Sequence, residues 1–327
     1  MTNEYAALSK LVHADNLLAR QPVYYLRKVL STLTLLAFSI AILLWTDNIW
    51  FQLLNAAFLS FILGQIGFLS HDASHHQIFK DPKKNVWFGL ISWGLFLGIS
   101  ASSWTKNHNK HHSHPNHADE DPDLELPVVA FFDAQAKQKQ GFQRWMVKYQ
   151  AYFFPFLFML LAFKMHKTAL VHVFSGNAQR PLTEGLLLLG YYGWYLGLIF
   201  TSLPFWTAIL FLLVNHALTG LYMSSVFAPN HKGMPIIKKN STLSYLRKQV
   251  LTARNVKPNF LTDLLYGGLN YQIEHHLYTT MPRNNLRKAR NVVRDFCARR
   301  GIPYHETSVL RSYWEIFREL RRVSATI

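Results

Sequence analysis

The sequence predicts an all-α integral membrane protein, with four transmembrane helices in two hairpins and a helical cap on the cytoplasmic side. Three observations predict it. Half of the 327 residues are hydrophobic, and they are grouped rather than dispersed. No Lys or Arg occurs from Val29 to Phe79 or from Pro181 to His231, although the chain carries 34 of them elsewhere. Nine of the sixteen histidines fall into three short clusters and one helix-end position, all expected on the same side of the bilayer.

Residues 1–28 are polar and read as an N-terminal cytoplasmic segment, with no cleavable signal peptide, and residues 29–327 read as one membrane-integrated domain. In the first hairpin, Val29–Trp45 and Ile49–Leu69 are apolar runs of 17 and 21 residues joined by Thr46-Asp47-Asn48. Each is long enough to span. In the second, Gly185–Thr201 and Leu203–Val226 are runs of 17 and 24 residues that turn at Pro204. Val86–Ala101, interrupted by three glycines, and Phe153–Phe163, with Pro155 near its start, are 16 and 11 residues long and read as interfacial or re-entrant segments. The cations lie outside both hairpins, which by the positive-inside rule places those segments and both termini in the cytoplasm. A net charge of +16 then suits a face lying on anionic lipid, and no basic helix interleaved with stacking aromatics points to nucleic acid. The single cysteine, Cys297, excludes an internal disulfide and reads as a buried small hydrophobe.

The histidines carry the chemistry. "HDASHH" ends the second span and sets His71 and His75 four apart on one helical face, with His76 beside them. "HNKHH" sets His108, His111 and His112 at i, i+3 and i+4, so three imidazoles share one side of a helix. His231 follows the fourth span by five residues, and "QIEHH" supplies His275 and His276. Nine imidazoles exceed the four to six ligands of one ion and suit a dimetal site with open positions, built of iron, zinc, copper or nickel. His13, His166, His172, His216 and His305 read as structural or exposed. Asp72, Glu274 and the run Asp119, Glu120, Asp121, Asp123 are candidates to orient the ligating rings, and Asn230 and Asn270 to hold a metal-bound water.

In this order and spacing the three boxes, with "HPNHADEDPD", "FAPNHKGMP" and "NYQIEHHLY" around them, resemble the membrane-bound fatty acid desaturase family and its bacterial members, from about Leu26 to about Pro282. The resemblance implies two iron ions that use O2 and two electrons to introduce a C=C bond into a long acyl chain. It implies His71, His75, His108, His111, His112, His275 and His276 as ligands, His231 as the extra histidine after the last span, and His76 at the edge of the set. His114 and His117 fall outside the second box, and Gln272 stands where some relatives carry a histidine, a position left to water or to His231.

Breaking an unactivated C–H bond requires a cofactor, which fits this reading. The substrate is expected to be an acyl-CoA or a phospholipid, with Trp87, Trp93 and Trp104 lining its tunnel or anchoring at the interface. The basic stretch Lys232, Lys238, Lys239, Arg247, Lys248 and Arg254 is expected to meet its phosphate or plain lipid. No haem-attachment, flavin or nicotinamide motif occurs, so a separate ferredoxin or cytochrome with its reductase is expected to deliver electrons, docking on the Arg-rich stretch from Asn284 to Arg322. A hydroxylase or ketolase of the same superfamily is the alternative outcome. A metal transporter is the remote one, since only His216 lies inside an expected span. The expected location is the cytoplasmic membrane of a bacterium.

Overall fold

Helices dominate the computed structural model, which describes residues 4–327; the regular exception among them is one parallel pair of two-residue strands, Asn255–Val256 with Glu306–Thr307. Five of these helices are long and apolar enough to cross a membrane: Pro22–Trp45, Ile49–Ser74, Gly141–Phe174, Pro181–Ser202 and Phe205–His231. A sixth candidate is the pair Pro82–Phe96 and Ala101–Ser113, bent by 115° as in a broken span or a re-entrant loop.

The expected total of four spans is therefore too low as a count of candidates. The difference lies at Phe153–Phe163. Pro155 was expected to break that segment, yet it sits inside a helix whose chain continues through a 3-10 turn at Phe158–Leu160 into Leu161–Phe174. The fourth span also runs longer than its apolar residues indicate, because Phe205–His231 continues through Pro229 and takes His231 as its last residue. Its terminal carbonyls find tertiary donors: Arg254 Nε at 2.6 Å on Pro229, Arg254 N at 2.9 Å on Asn230, and Asn116 Nδ2 at 3.0 Å on His231.

The chain forms two compact units. One comprises residues 20–106 and 156–224 and holds the apolar helices. Its first hairpin turns at Asn48, whose side chain accepts from Trp50 N and Phe51 N at 3.1 and 3.3 Å and caps the Ile49–Ser74 helix. Polar side chains then tie helix to helix: Ser39 donates to Asn55 at 2.7 Å, and Tyr195 donates to Asn215 at 2.7 Å, which in turn donates to the Ala56 carbonyl at 2.9 Å. Such bonds stabilise membrane bundles by about 0.6–2 kcal/mol each. Backbones also come close. A Cβ on Gly220 would lie 2.7 Å from the Phe158 carbonyl oxygen and 3.0 Å from that of Met159, neither able to swing aside. Gly220→Ala is expected to cost about 1–3 kcal/mol through overpacking and to lower the thermal midpoint of the purified protein. Gly193→Ala, where the added carbon meets nothing within 4 Å, is expected to leave it unchanged or slightly raised.

The other unit comprises residues up to Ala19, 107–155 and 225–327. The N-terminal segment, expected as a polar extension, forms the helix Glu4–Ala14 and sends Leu8 and Val12 into this unit's core. There they meet Leu246 and Val250, Ile273 and Leu277 of the third box, and Leu286, Ala289, Val293 and Cys297 of Arg283–Arg299. The cysteine is buried, as a small hydrophobe in that position requires. Each fully buried Leu, Ile or Val contributes about 1.5–3 kcal/mol, so the helical turn bearing His275 and His276 is held by its apolar neighbours on either side.

Candidate metal centre

Three helix segments deliver six histidines within the unit just described. The helix Ala101–Ser113 ends in His108, His111 and His112, the helix Phe205–His231 ends in His231, and the single turn Gln272–Leu277 carries His275 and His276. They sort into two groups. His111, His231 and His276, all buried, offer ring nitrogens within 4.8 Å of one another, and His108, His112 and His275 do the same. Within each group Nε2 faces Nε2: 3.3 Å between His111 and His231 in the first, and 3.0 Å between His108 and His112 and 3.2 Å between His112 and His275 in the second.

The first group shows what these rings are arranged to bind. His111 Nδ1 donates to Asp121 at 3.0 Å, His231 Nδ1 to the Thr252 carbonyl at 3.0 Å, and His276 Nδ1 to Gln249 Oε1 at 3.0 Å. An acceptor behind Nδ1 fixes the proton there, so each neutral ring turns the lone pair of Nε2 inward. Three lone pairs converging without a proton between them repel unless a cation sits among them. The donor set therefore fits a divalent transition metal, and three imidazoles leave coordination positions open.

Asp121 is the carboxylate that orients a ring, and the loop after the second box is folded around it. Its oxygens accept from Asn116 N at 2.7 Å, Asp123 N at 2.9 Å and His111. Asn116 adopts the left-handed φ of 51° that closes this loop. Burial alone would raise the Asp121 carboxyl, but the hydrogen bond from His111, together with the Lys232 charge and the Asp123 N–H, outweighs it and holds the group below the usual carboxylate range. Asp123 lies 3.6 Å from His111 and is exposed.

The other expected supporting residues divide. Gln272 Nε2 lies 2.9 Å from His231 Nε2, and Gln272 Oε1 accepts from Asn230 at 3.0 Å, so both stand beside the first group. Glu274 touches no imidazole. It accepts from Asn255 Nδ2 at 2.7 Å and Tyr304 at 2.9 Å, and burial pushes its carboxyl up to about 7 against those two hydrogen bonds. Asn255 Oδ1 in turn accepts from Ile273 N, so Glu274 fixes the entry of the third-box turn rather than a ring. Asn270 bonds to Asp263, away from the histidines. His114 pairs with Glu120 at 3.0 Å, and His117 lies in a strand-like bridge with Ile237; neither joins a group. Gln249 and Thr252, on the helix Tyr245–Thr252, escaped the sequence reading: one acts through a neutral amide and the other through its backbone, and neither leaves a mark on residue type.

The first box belongs to the other unit. His71 and His75 stand one turn apart at the end of Ile49–Ser74, ring centroids 4.7 Å apart, with His71 Nδ1 3.3 Å from Asp72. His76 adopts a left-handed φ of 54° and joins neither group of rings. Trp93 and Trp104 stack at 4.5 Å in the same unit, and Trp104 lies 5.7 Å from His71, while Trp87 is exposed under Arg180.

The basic stretch expected to meet phosphate is partly committed elsewhere. Arg254 is fully buried and ion-paired with Glu315 at 2.6 Å, and Arg247 pairs with Glu4 at 2.8 Å. A phosphate cannot reach a guanidinium that caps a helix inside the protein.

Comparison with known proteins agrees with this architecture. Residues 45–308 match the profile of a family described as fatty acid desaturase. The chain is 30% identical over 339 residues to the acyl-lipid (9-3)-desaturase of Physcomitrium patens, covering 99% of itself and 63% of that protein. It is 30% identical to the Delta(5) fatty acid desaturase fat-4 and 28% to the Delta(6)-fatty-acid desaturase fat-3, both of Caenorhabditis elegans, covering all of itself and 76% of each. With its membrane-length helices and its histidines gathered by box, this chain belongs to the fatty acid desaturase family.

Proposed function

We propose that this protein is an O2-dependent fatty acyl desaturase acting at two iron ions. The balance is –CH2–CH2– + O2 + 2 e− + 2 H+ → –CH=CH– + 2 H2O. The observation that carries the proposal is the convergence of the Nε2 atoms of His111, His231 and His276, each ring fixed from behind by an acceptor on Nδ1. Those three hold one ion. His108, His112 and His275 would hold the second. His76, His114 and His117 receive no ligand role.

Iron bound there supplies an oxidant able to cleave an unactivated C–H bond. The protein's part is positional. Asp121, Gln249 and the Thr252 carbonyl keep protons off the metal-facing nitrogens. The relatives' names, with new bonds at carbons 5 and 6, support a bond on the carboxyl side of the chain, and the moss protein's name supports a lipid-bound acyl group. Electrons would come from a ferredoxin or cytochrome. Its acidic face would meet Arg287, Lys288, Arg294, Arg299 and Arg300, which are exposed on and just beyond Arg283–Arg299, in the cytoplasm.

The test is expression with and without His111→Ala in an aerobically grown bacterium, with acyl-CoA and lipid fractions analysed by mass and double-bond position. A product lighter by two hydrogens, present only with the intact box, is expected. A product heavier by one oxygen would make the enzyme a hydroxylase and overturn the proposal.

A further inference from the structure

Two helices of the histidine-bearing unit each present an aromatic face with no protein against it. In Gly141–Leu157 the residues Phe142, Trp145, Tyr149 and Tyr152 recur at three- and four-residue spacing and are 43–69% exposed. The opposite face of that helix, with Val147, Gln150, Ala151 and Phe154, is buried. In Val309–Ser324 the buried side is Ser312, Ile316, Leu320 and Val323, while Leu310 and Trp314 are 83% and 52% exposed and Phe317 stacks on Trp314 at 5.7 Å. The two faces join, with Tyr152 and Phe317 in edge contact at 5.6 Å. Cations flank them: Arg144, Lys148, Arg311, Arg318 and Arg321 are all exposed, and Lys148 lies 5.7 Å over the Tyr149 ring.

We propose that this joined aromatic face lies flat in the headgroup region of an anionic lipid bilayer and seats the histidine-bearing unit on the membrane. Trp, Tyr and Phe ringed by Lys and Arg are the composition of that interface, where rings enter the acyl boundary and cations meet lipid phosphate. Continuity supports the occupant. The first helix belongs to the stretch Gly141–Phe174, whose 34 residues would extend about 51 Å at 1.5 Å per residue, against a hydrocarbon core of about 30 Å. The stretch is longer than a crossing needs, which leaves its first turns room to lie along the surface before the more apolar part. A protein partner is the less suited occupant, because Arg144, Lys148, Arg318 and Arg321 would have to be desolvated or individually paired, Arg311 already meeting Glu315. The inference holds whatever reaction the metals support.

Cys297 is the chain's single cysteine and is buried, so a Cys297→Ala background allows one spin label at a time at 142, 145, 149, 152 and 314, with 144, 148, 318 and 321 as flanking controls. Variants that elute as the parent protein are placed in bilayers of neutral lipid alone and of neutral lipid with anionic phosphatidylglycerol. Collision with O2 and with a water-soluble nickel complex is then measured. The aromatic positions are expected to favour O2 at nearly equal shallow depth, with the contrast sharper in anionic bilayers, and the controls to favour nickel. A depth rising by about 15 Å from 142 to 152, the length of ten helical residues, would show a crossing helix. Exposure of the stripe to nickel would show water, and protection from both probes would show a protein partner; each of these three results overturns the proposal.

Discussion

Asp121→Asn is expected to lower iron retention and product yield by about 10- to 100-fold, whereas Asp123→Asn is expected to change either by less than about twofold. The acidic run is alike in sequence, and burial separates its members. Asp121 is 1% exposed and accepts from His111 Nδ1, Asn116 N and Asp123 N, while Asp123 is 59% exposed at its side chain and 3.6 Å from the ring. Loss of a carboxylate behind a metal-bound imidazole typically costs that 10- to 100-fold. The asparagine keeps the shape, and one turned to offer its amide nitrogen would leave His111 free to carry its proton on Nε2, the nitrogen proposed to face the ion. Iron per chain, measured by mass spectrometry after dialysis against a mild chelator, checks the prediction independently of turnover. Equal losses in the two variants would mean that the run acts only through its charge.

Arg254→Ala is expected to destabilise the protein by about 3–5 kcal/mol, the cost of removing one partner from a buried ion pair. The fork of Arg254 is fully used: Nε donates to the Pro229 carbonyl at 2.6 Å, Nη2 to the Lys232 carbonyl at 2.7 Å, and Nη1 to Glu315 at 2.6 Å. Two of these acceptors belong to the end of the helix that places His231. Lysine keeps a charge but has no planar fork, so Arg254→Lys is expected to lose much of the same stability. Glu315→Gln is expected to be milder, because the amide oxygen of glutamine still offers Arg254 Nη1 an acceptor while Nε and Nη2 keep theirs. Thermal midpoints by intrinsic tryptophan fluorescence, with iron content alongside, check the series, and an Arg254→Ala protein as stable as the parent would refute the capping role.

Composition and spacing alone sufficed for the class of the fold and for most of the histidines that the fold brings together. Apolar runs free of Lys and Arg marked four of the five membrane-length helices, because a bilayer admits few charges over a span. Imidazoles at i, i+3 and i+4 marked the second box, because helical geometry alone brings such residues to one side. Only the tertiary structure decided what depends on distant chain segments. His231 ends a helix that runs past its apolar residues because Arg254 and Asn116, remote in sequence, accept the duty of capping it. Gln249 and the Thr252 carbonyl orient His276 and His231, one through a neutral amide and one through backbone. Of several similar carboxylates, Asp121 backs His111 because a left-handed turn at Asn116 buries it, while Glu274, inside the third box, turns away to Asn255 and Tyr304. Composition and spacing report what a residue is able to bind, whereas its actual partner is set by which backbone groups and side chains the fold leaves within about 3 Å of it.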